Sequence, residues 1–231
     1  RHTTENIDIV TKTDKPGIEI RVKPGTVNES VHIPVILSET GITETVYNDF
    51  YIGEDADVII VAGCGIHNCG TEMSEHSGIH SFYVGKNAKI KYVEKHYGEG
   101  DGNGRNVMNP TTVIELSEGA YLEMETTQIK GVDSTDRKTF AKLEKDSTLV
   151  VYEKIMTHGE QYARTEFEVE LNGEDSGVDI ISRSVAKGNS YHYGVFNFFG
   201  NTFFQKRSKA RQIYSVILYH QAIEPLQRYR N

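Results

Sequence analysis

Cysteine, proline and long apolar runs are scarce in this chain, and tryptophan is absent: two Cys and five Pro stand among 231 residues. Two cysteines cannot staple a small secreted framework, and a Cys-x4-Cys loop would constrain little chain, which fits a reducing cytoplasm. No apolar run approaches the roughly 20 residues that a membrane helix needs, and nothing at the start reads as a signal peptide. A cytoplasmic location is therefore expected. An excess of positive charge is missing too. A net charge of −8 and a pI near 5.6 do not suit a surface that must neutralise phosphates, so nucleic acid is not an expected partner. The length is sufficient to bury a substantial core. Residue 1 is Arg rather than Met, and a longer parent protein is expected.

What the chain does have is a repeat. YIGEDADVIIV from Tyr51, YVGKNAKIKYV from Tyr83, ELSEGAYLEME from Glu115, KLEKDSTLVVY from Lys142 and ELNGEDSGVDII from Glu170 share one plan. Each is an apolar residue, a polar turn, a small residue and an alternating strand. The small residues Ala56, Ala88, Ala120, Ser147 and Ser176 are spaced 32, 32, 27 and 29 apart. Glu94-Lys95 follows Ala88 at the same interval as Glu153-Lys154 follows Ser147. A unit of about 30 residues with two or more short strands cannot bury an apolar face alone, whereas stacked units can. The expected architecture is an all-β solenoid with coils of about 30 residues, and a Greek-key sandwich is the competitor. Thr165, Phe167, Val169 and Leu171 alternate with Glu166, Glu168 and Glu170, giving one strand with a clear inner side and an acidic, solvated outer side. Pro16, Pro24 and Pro34 mark edge or rim strands at the N-terminal end.

Soft ligands are concentrated in one place. The stretch VAGCGIHNCGTEMSEHSGIH, residues 61 to 80, holds Cys64, His67, Cys69, His76 and His80. Thiolate and imidazole bind zinc, copper(I) and iron-sulfur clusters, so these five are the candidate metal ligands, with Cys64 and Cys69 as candidate cluster or persulfide sites. The opposing reading is structural. Cys64 follows the apolar run Val58 to Val61 as a buried small side chain would, and the Cys-x4-Cys pair lacks the tight spacing and second pair of a zinc knuckle.

Other motifs are weaker. GEGDGNG at 98 to 104 lacks the Walker ending and the EF-hand glutamate, and reads as a mobile solvent loop. No G-x-S-x-G or H-E-x-x-H is present, so no catalytic residues are expected. Carboxylates from neighbouring coils could still assemble a glycoside hydrolase site, and a β-helix carbohydrate-active enzyme is one alternative function. A purely structural partner that dimerises through strand edges without metal is another.

The repeat, VAGCGIHNCG from Val61, GIHSFYVGKNAKIKYVEKHYGEG from Gly78, and EQYARTEFEVELNGEDSGVDIISRSVAKGNSY from Glu160 with its Ser182-Arg183-Ser184 triplet resemble the SufB/SufD family of iron-sulfur cluster assembly proteins, in its archaeal-type form. The resemblance spans about residues 45–192. It implies a right-handed parallel β-helix and a scaffold on which an iron-sulfur cluster is built transiently. It also implies a SufC-type ABC ATPase that hydrolyses ATP in place of this chain, and a sister SufB/SufD-like subunit or second copy paired through β-helix edges. After about Gly200 the chain departs from the family pattern. Residues 1–200 are expected to form the β-helix, and 201–231, with the basic cluster Lys206, Arg207, Lys209 and Arg211, a short irregular or helical tail.

Overall fold

In the computed structural model, residues 4–200 and 209–219 are described, with side chains up to 213. The described residues form sixteen strands and no helix. One sheet stacks β2 (Gly17–Val22), β4 (Thr43–Ile52), β6 (Ser74–Val84), the pair β8 (Asn106–Met108) and β9 (Thr111–Leu116), β11 (Ser134–Leu143), β13 (Tyr162–Leu171) and β15 (Tyr191–Gly200) in parallel. The facing sheet stacks β3 (Val27–Leu37), β5 (Asp57–His67), β7 (Lys89–Glu99), β10 (Tyr121–Gln128), β12 (Thr148–Gly159), β14 (Gly177–Gly188) and β16 (Lys209–Tyr219), also in parallel. Because the chain alternates between sheets, each coil is one strand of either kind, and the expected β-solenoid is what forms. Pro110, with no amide hydrogen to give, falls between β8 and β9 and splits one strand position into two.

The turn at one edge of every coil is the repeat seen in the sequence. Its third residue takes a left-handed backbone: Gly25, Asp55, Asn87, Gly119, Asp146 and Asp175 have φ between 56° and 72°. Gly, Asn and Asp tolerate that conformation best, which is why the position holds nothing else. The small residue follows. The carbonyls of Ala56, Ala88, Ala120 and Ser147 accept from the amides of Lys89, Tyr121, Thr148 and Gly177, one coil on, at 2.7 to 2.9 Å. These small residues are at most 1% exposed and lie one above another.

Alternation then sends every second side chain inward. Phe50 stacks on Phe82 with ring centroids 4.3 Å apart, and Phe167 on Phe196 at 5.5 Å. With Ile60, Ile90, Leu122, Leu149 and Ile180 they form one continuous core between the sheets. Burying such a side chain contributes about 1.5–3 kcal/mol. At the N-terminal end β1 (Ile7–Thr11) pairs antiparallel with β2, and β3 is left as an edge that carries Pro34. A proline and an irregular register at Asn28 make that edge a poor template for further pairing.

Two expectations are corrected. Residues 98–104 are not a loose loop: a Cβ on Gly100, Gly102 or Gly104 would collide with the carbonyls of Asn68, Gly70 or Glu72, so the glycines let two loops lie directly against each other. Gly102 and Gly104 donate to Asn68 and Gly70 at 3.1 and 2.9 Å. The second correction concerns the tail. Lys209–Tyr219 forms β16, because the free edge of β14 offers a parallel template and the segment matches it residue for residue. Arg211 of the basic cluster pairs with Asp179 of β14. Lys206, Arg207 and the rest of 201–231 lie outside the described residues.

Candidate functional site

Partway along each strand the inward side chains change from apolar to polar. The inner face of β7 reads Ile90, Tyr92, Glu94, His96, and that of β12 reads Leu149, Val151, Glu153, Ile155. Cys64 stands beside His96 in the register of β5 and β7. From the opposite sheet, β6 contributes His76 and His80, and β11 contributes Arg137. None of Cys64, His76, His80, Glu94, His96, Arg137 and Glu153 is more than 4% exposed. A small apolar cluster of Leu37, Ile66, Met108 and Val132 lies at the far end of the inner strand positions, so the polar groups sit between two apolar cores.

Buried charge requires partners, and they are present. Arg137 donates to His96 Nδ1 at 3.0 Å, and His96 Nε2 lies 3.3 Å from Glu94 Oε1. The Tyr92 hydroxyl donates to the same Glu94 oxygen at 3.0 Å and is 3.0 Å from His80 Nδ1. His80 Nε2 is 3.3 Å from Asn48 Nδ2. Glu153 accepts from Thr165 and Ser182 at 2.8 and 2.6 Å, with Arg137 Nε at 3.6 Å. Ser182 of the Ser-Arg-Ser triplet thus holds a buried carboxylate.

The electrostatics follow from that geometry. Burial raises the Glu94 carboxyl, but the attraction and hydrogen bond of His96, then His80 and Arg137, outweigh it and hold Glu94 well below the usual carboxylate range. Burial pushes the Cys64 thiol far above its ordinary value; the charge of Glu94 adds to this, and Arg137 opposes it. Burial also lowers His80 and His192. Cys64 is therefore a protonated, unreactive thiol until an electrophile arrives that compensates the thiolate. A sulfur, a carboxylate oxygen and an imidazole nitrogen from Cys64, Glu94 and His96 lie within 4.8 Å of one another, a donor set suited to a thiophilic divalent ion.

The five sequence candidates fall into two groups. Cys64, His76 and His80 share the chamber. His67 and Cys69 lie at the coil edge, exposed, with Cys69 Sγ 3.1 Å from His67 Nε2. Glu94, His96, Arg137 and Glu153 were missed as site residues. A signal was available: on β7, Glu94 and His96 occupy the same alternation as Ile90 and Tyr92, and a charged or ionisable residue on the apolar parity of a strand points inward. The recurrence of Glu94-Lys95 at Glu153-Lys154 was the same signal in a second coil.

Comparison with known proteins identifies the family. Residues 51–224 match the family model described as SUF system FeS cluster assembly, SufBD core domain. The chain belongs to the SufBD family. It is similar to an iron-sulfur cluster assembly SufBD family protein of Archaeoglobus fulgidus, 29% identical over 178 residues, covering 76% of this chain and 46% of that protein. A SufBD family protein of Methanocaldococcus jannaschii is 26% identical over 161 residues, covering 69% of this chain and 50% of the relative. The chain thus spans about half the length of the curated relatives it matches. No helix among the described residues is long and apolar enough to cross a membrane.

Proposed function

We propose that this chain is a scaffold component of iron-sulfur cluster assembly, in which the interior chamber around Cys64 takes up sulfur or iron as cargo. Family membership supports the process, and the single observation that carries the reading is the buried thiol beside Glu94 and His96. Thiolate, carboxylate and imidazole are the groups that iron and sulfur intermediates need, and the apolar clusters to either side keep water from competing. The chain itself is assigned no catalysis. A SufC-type ABC ATPase is the expected partner for ATP hydrolysis, and a SufB/SufD-like sister or a second copy the expected structural partner, in the cytoplasm. The carbohydrate alternative needs acids on an open groove; the two most deeply buried acids, Glu94 and Glu153, are inside the solenoid.

Anaerobic reconstitution with iron and sulfide tests the reading. The parent is expected to yield a brown, oxygen-labile species, Cys64→Ser to lose most bound iron and sulfide, and Cys69→Ser to retain them. Equal iron and sulfide in Cys64→Ser and the parent would remove Cys64 from the function.

A further inference from the structure

Hydrogen-bond direction limits which histidine of the chamber can act as a ligand. A guanidinium only donates, so the contact from Arg137 requires a bare Nδ1 on His96 and places its proton on Nε2, toward Glu94. His80 is committed in the same way. The Tyr92 hydroxyl gives its hydrogen to Glu94, so its oxygen accepts from His80 Nδ1–H, and His80 Nε2 accepts from the Asn48 amide. Both rings have spent their lone pair. His76 has not: its Nδ1 lies 3.1 Å from the Glu44 carboxylate, which can only accept, so Nε2 carries the lone pair. That nitrogen is buried and has no hydrogen-bond partner. His76, Cys64 and Glu94 line, together with His80 and His96, a narrow void too small for a water molecule, so no water satisfies it.

We infer that a thiophilic divalent cation entering this chamber is held by Cys64, His76 and Glu94, and that Arg137 keeps His96 from serving as a ligand. His76 faces Cys64 and Glu94 from the opposite sheet, outside the 4.8 Å grouping that those two make with His96, so ligation has to draw the His76 ring inward around an ion stripped of water. Ligation by His96 would instead break its bond from Arg137 and leave a buried guanidinium donor without an acceptor. His96 and Tyr92 then act as positioning residues that orient the Glu94 carboxylate, and Arg137 fixes the tautomer of His96. Gly78 fits this arrangement, because a Cβ there would press on His80 Nε2 at 2.9 Å. The inference concerns the site used in the proposed function, but its test needs neither sulfide nor cluster formation.

The test is a long-range proton–nitrogen NMR spectrum of the full 15N-labelled chain, anaerobic and reduced, before and after zinc is added. Without metal, His76 and His80 should show the Nδ1–H tautomer and His96 the Nε2–H tautomer. Zinc should shift His76 Nε2 and leave the His96 tautomer in place, and in Cys64→Ser it should shift neither ring. His76→Gln should weaken zinc binding by at least about tenfold, and more than His96→Gln, which keeps an acceptor for Arg137. Melting curves of each variant separate lost ligation from lost folding. A zinc shift at His96 Nε2, an Nδ1–H tautomer of His96, or zinc binding unaffected by Cys64→Ser would each overturn the inference. Zinc binding at His76 together with failed cluster reconstitution would count against the proposed function and leave the ligand assignment standing.

Discussion

The two halves of the solenoid interior obey one backbone rule and hold opposite chemistry. Next to the turns at Ala56, Ala88 and Ala120, inward positions carry Val58, Ile60, Ile90, Tyr92, Leu122 and Met124, and the phenylalanines stack from coil to coil. Two to four residues further on, equivalent positions carry Cys64, Glu94, His96, Thr126 and Gln128. The apolar half is held by packing and tolerates any side chain of suitable volume. In the polar half the charged groups depend on particular neighbours, because a lost partner strands a buried charge. A fold that needed only stability would have continued the apolar stack; the interruption is where the proposed function places its chemistry.

Substitution separates the two halves most strongly. Phe82→Ala removes a ring packed between Phe50 and Tyr92 and should cost about 3–5 kcal/mol in urea unfolding. Arg137→Met should cost a similar amount, about 3–5 kcal/mol, for a different reason: Glu153 and Glu94 lose a buried positive neighbour. The difference appears in the double variant. Adding Glu153→Gln to Arg137→Met should recover much of the loss, whereas no charge change should rescue Phe82→Ala. If the double variant is no more stable than Arg137→Met, charge pairing does not govern the polar half.

The same contrast was legible in the sequence only in part. The turns, the small residues and the alternating strands were readable because each obeys a local rule repeated in every coil. The chamber was less visible, since His80 and Arg137 are brought to Glu94 and His96 by stacking across three coils and two sheets. Cys64 and Cys69, with only four residues between them, take opposite sides of the wall: strand parity turns Cys64 inward, and the chain leaves the sheet before Cys69. The loop glycines misled for a related reason, because their partner, the segment 68–72, is a coil away.

Within the interior, acid should act on the polar half and leave the apolar half untouched. Burial lowers His80 and His192, so the unfolded chain takes up protons first as pH drops below about 6.5, and stability declines there by up to about 1.4 kcal/mol per pH unit for each histidine. Glu94 is held below the ordinary carboxylate range; its contribution is fully present above about pH 4.3 and is lost as pH falls toward its depressed value. Glu94→Gln should therefore flatten the lower part of the acid limb and leave the upper part, read by chemical denaturation from about pH 8 down to about pH 3. An unchanged lower limb would mean that Glu94 is not ionised in the folded chain.

Thiol labelling of the native and the unfolded chain tests the account most directly, because it depends on a chamber that closes one cysteine away from water. Iodoacetamide should modify Cys69 readily and Cys64 more than about a hundredfold more slowly under native conditions, with both reacting in denaturant. Cys69→Ser should abolish the fast phase. Modification of Cys64 in the folded protein at the rate seen for Cys69 would contradict the account.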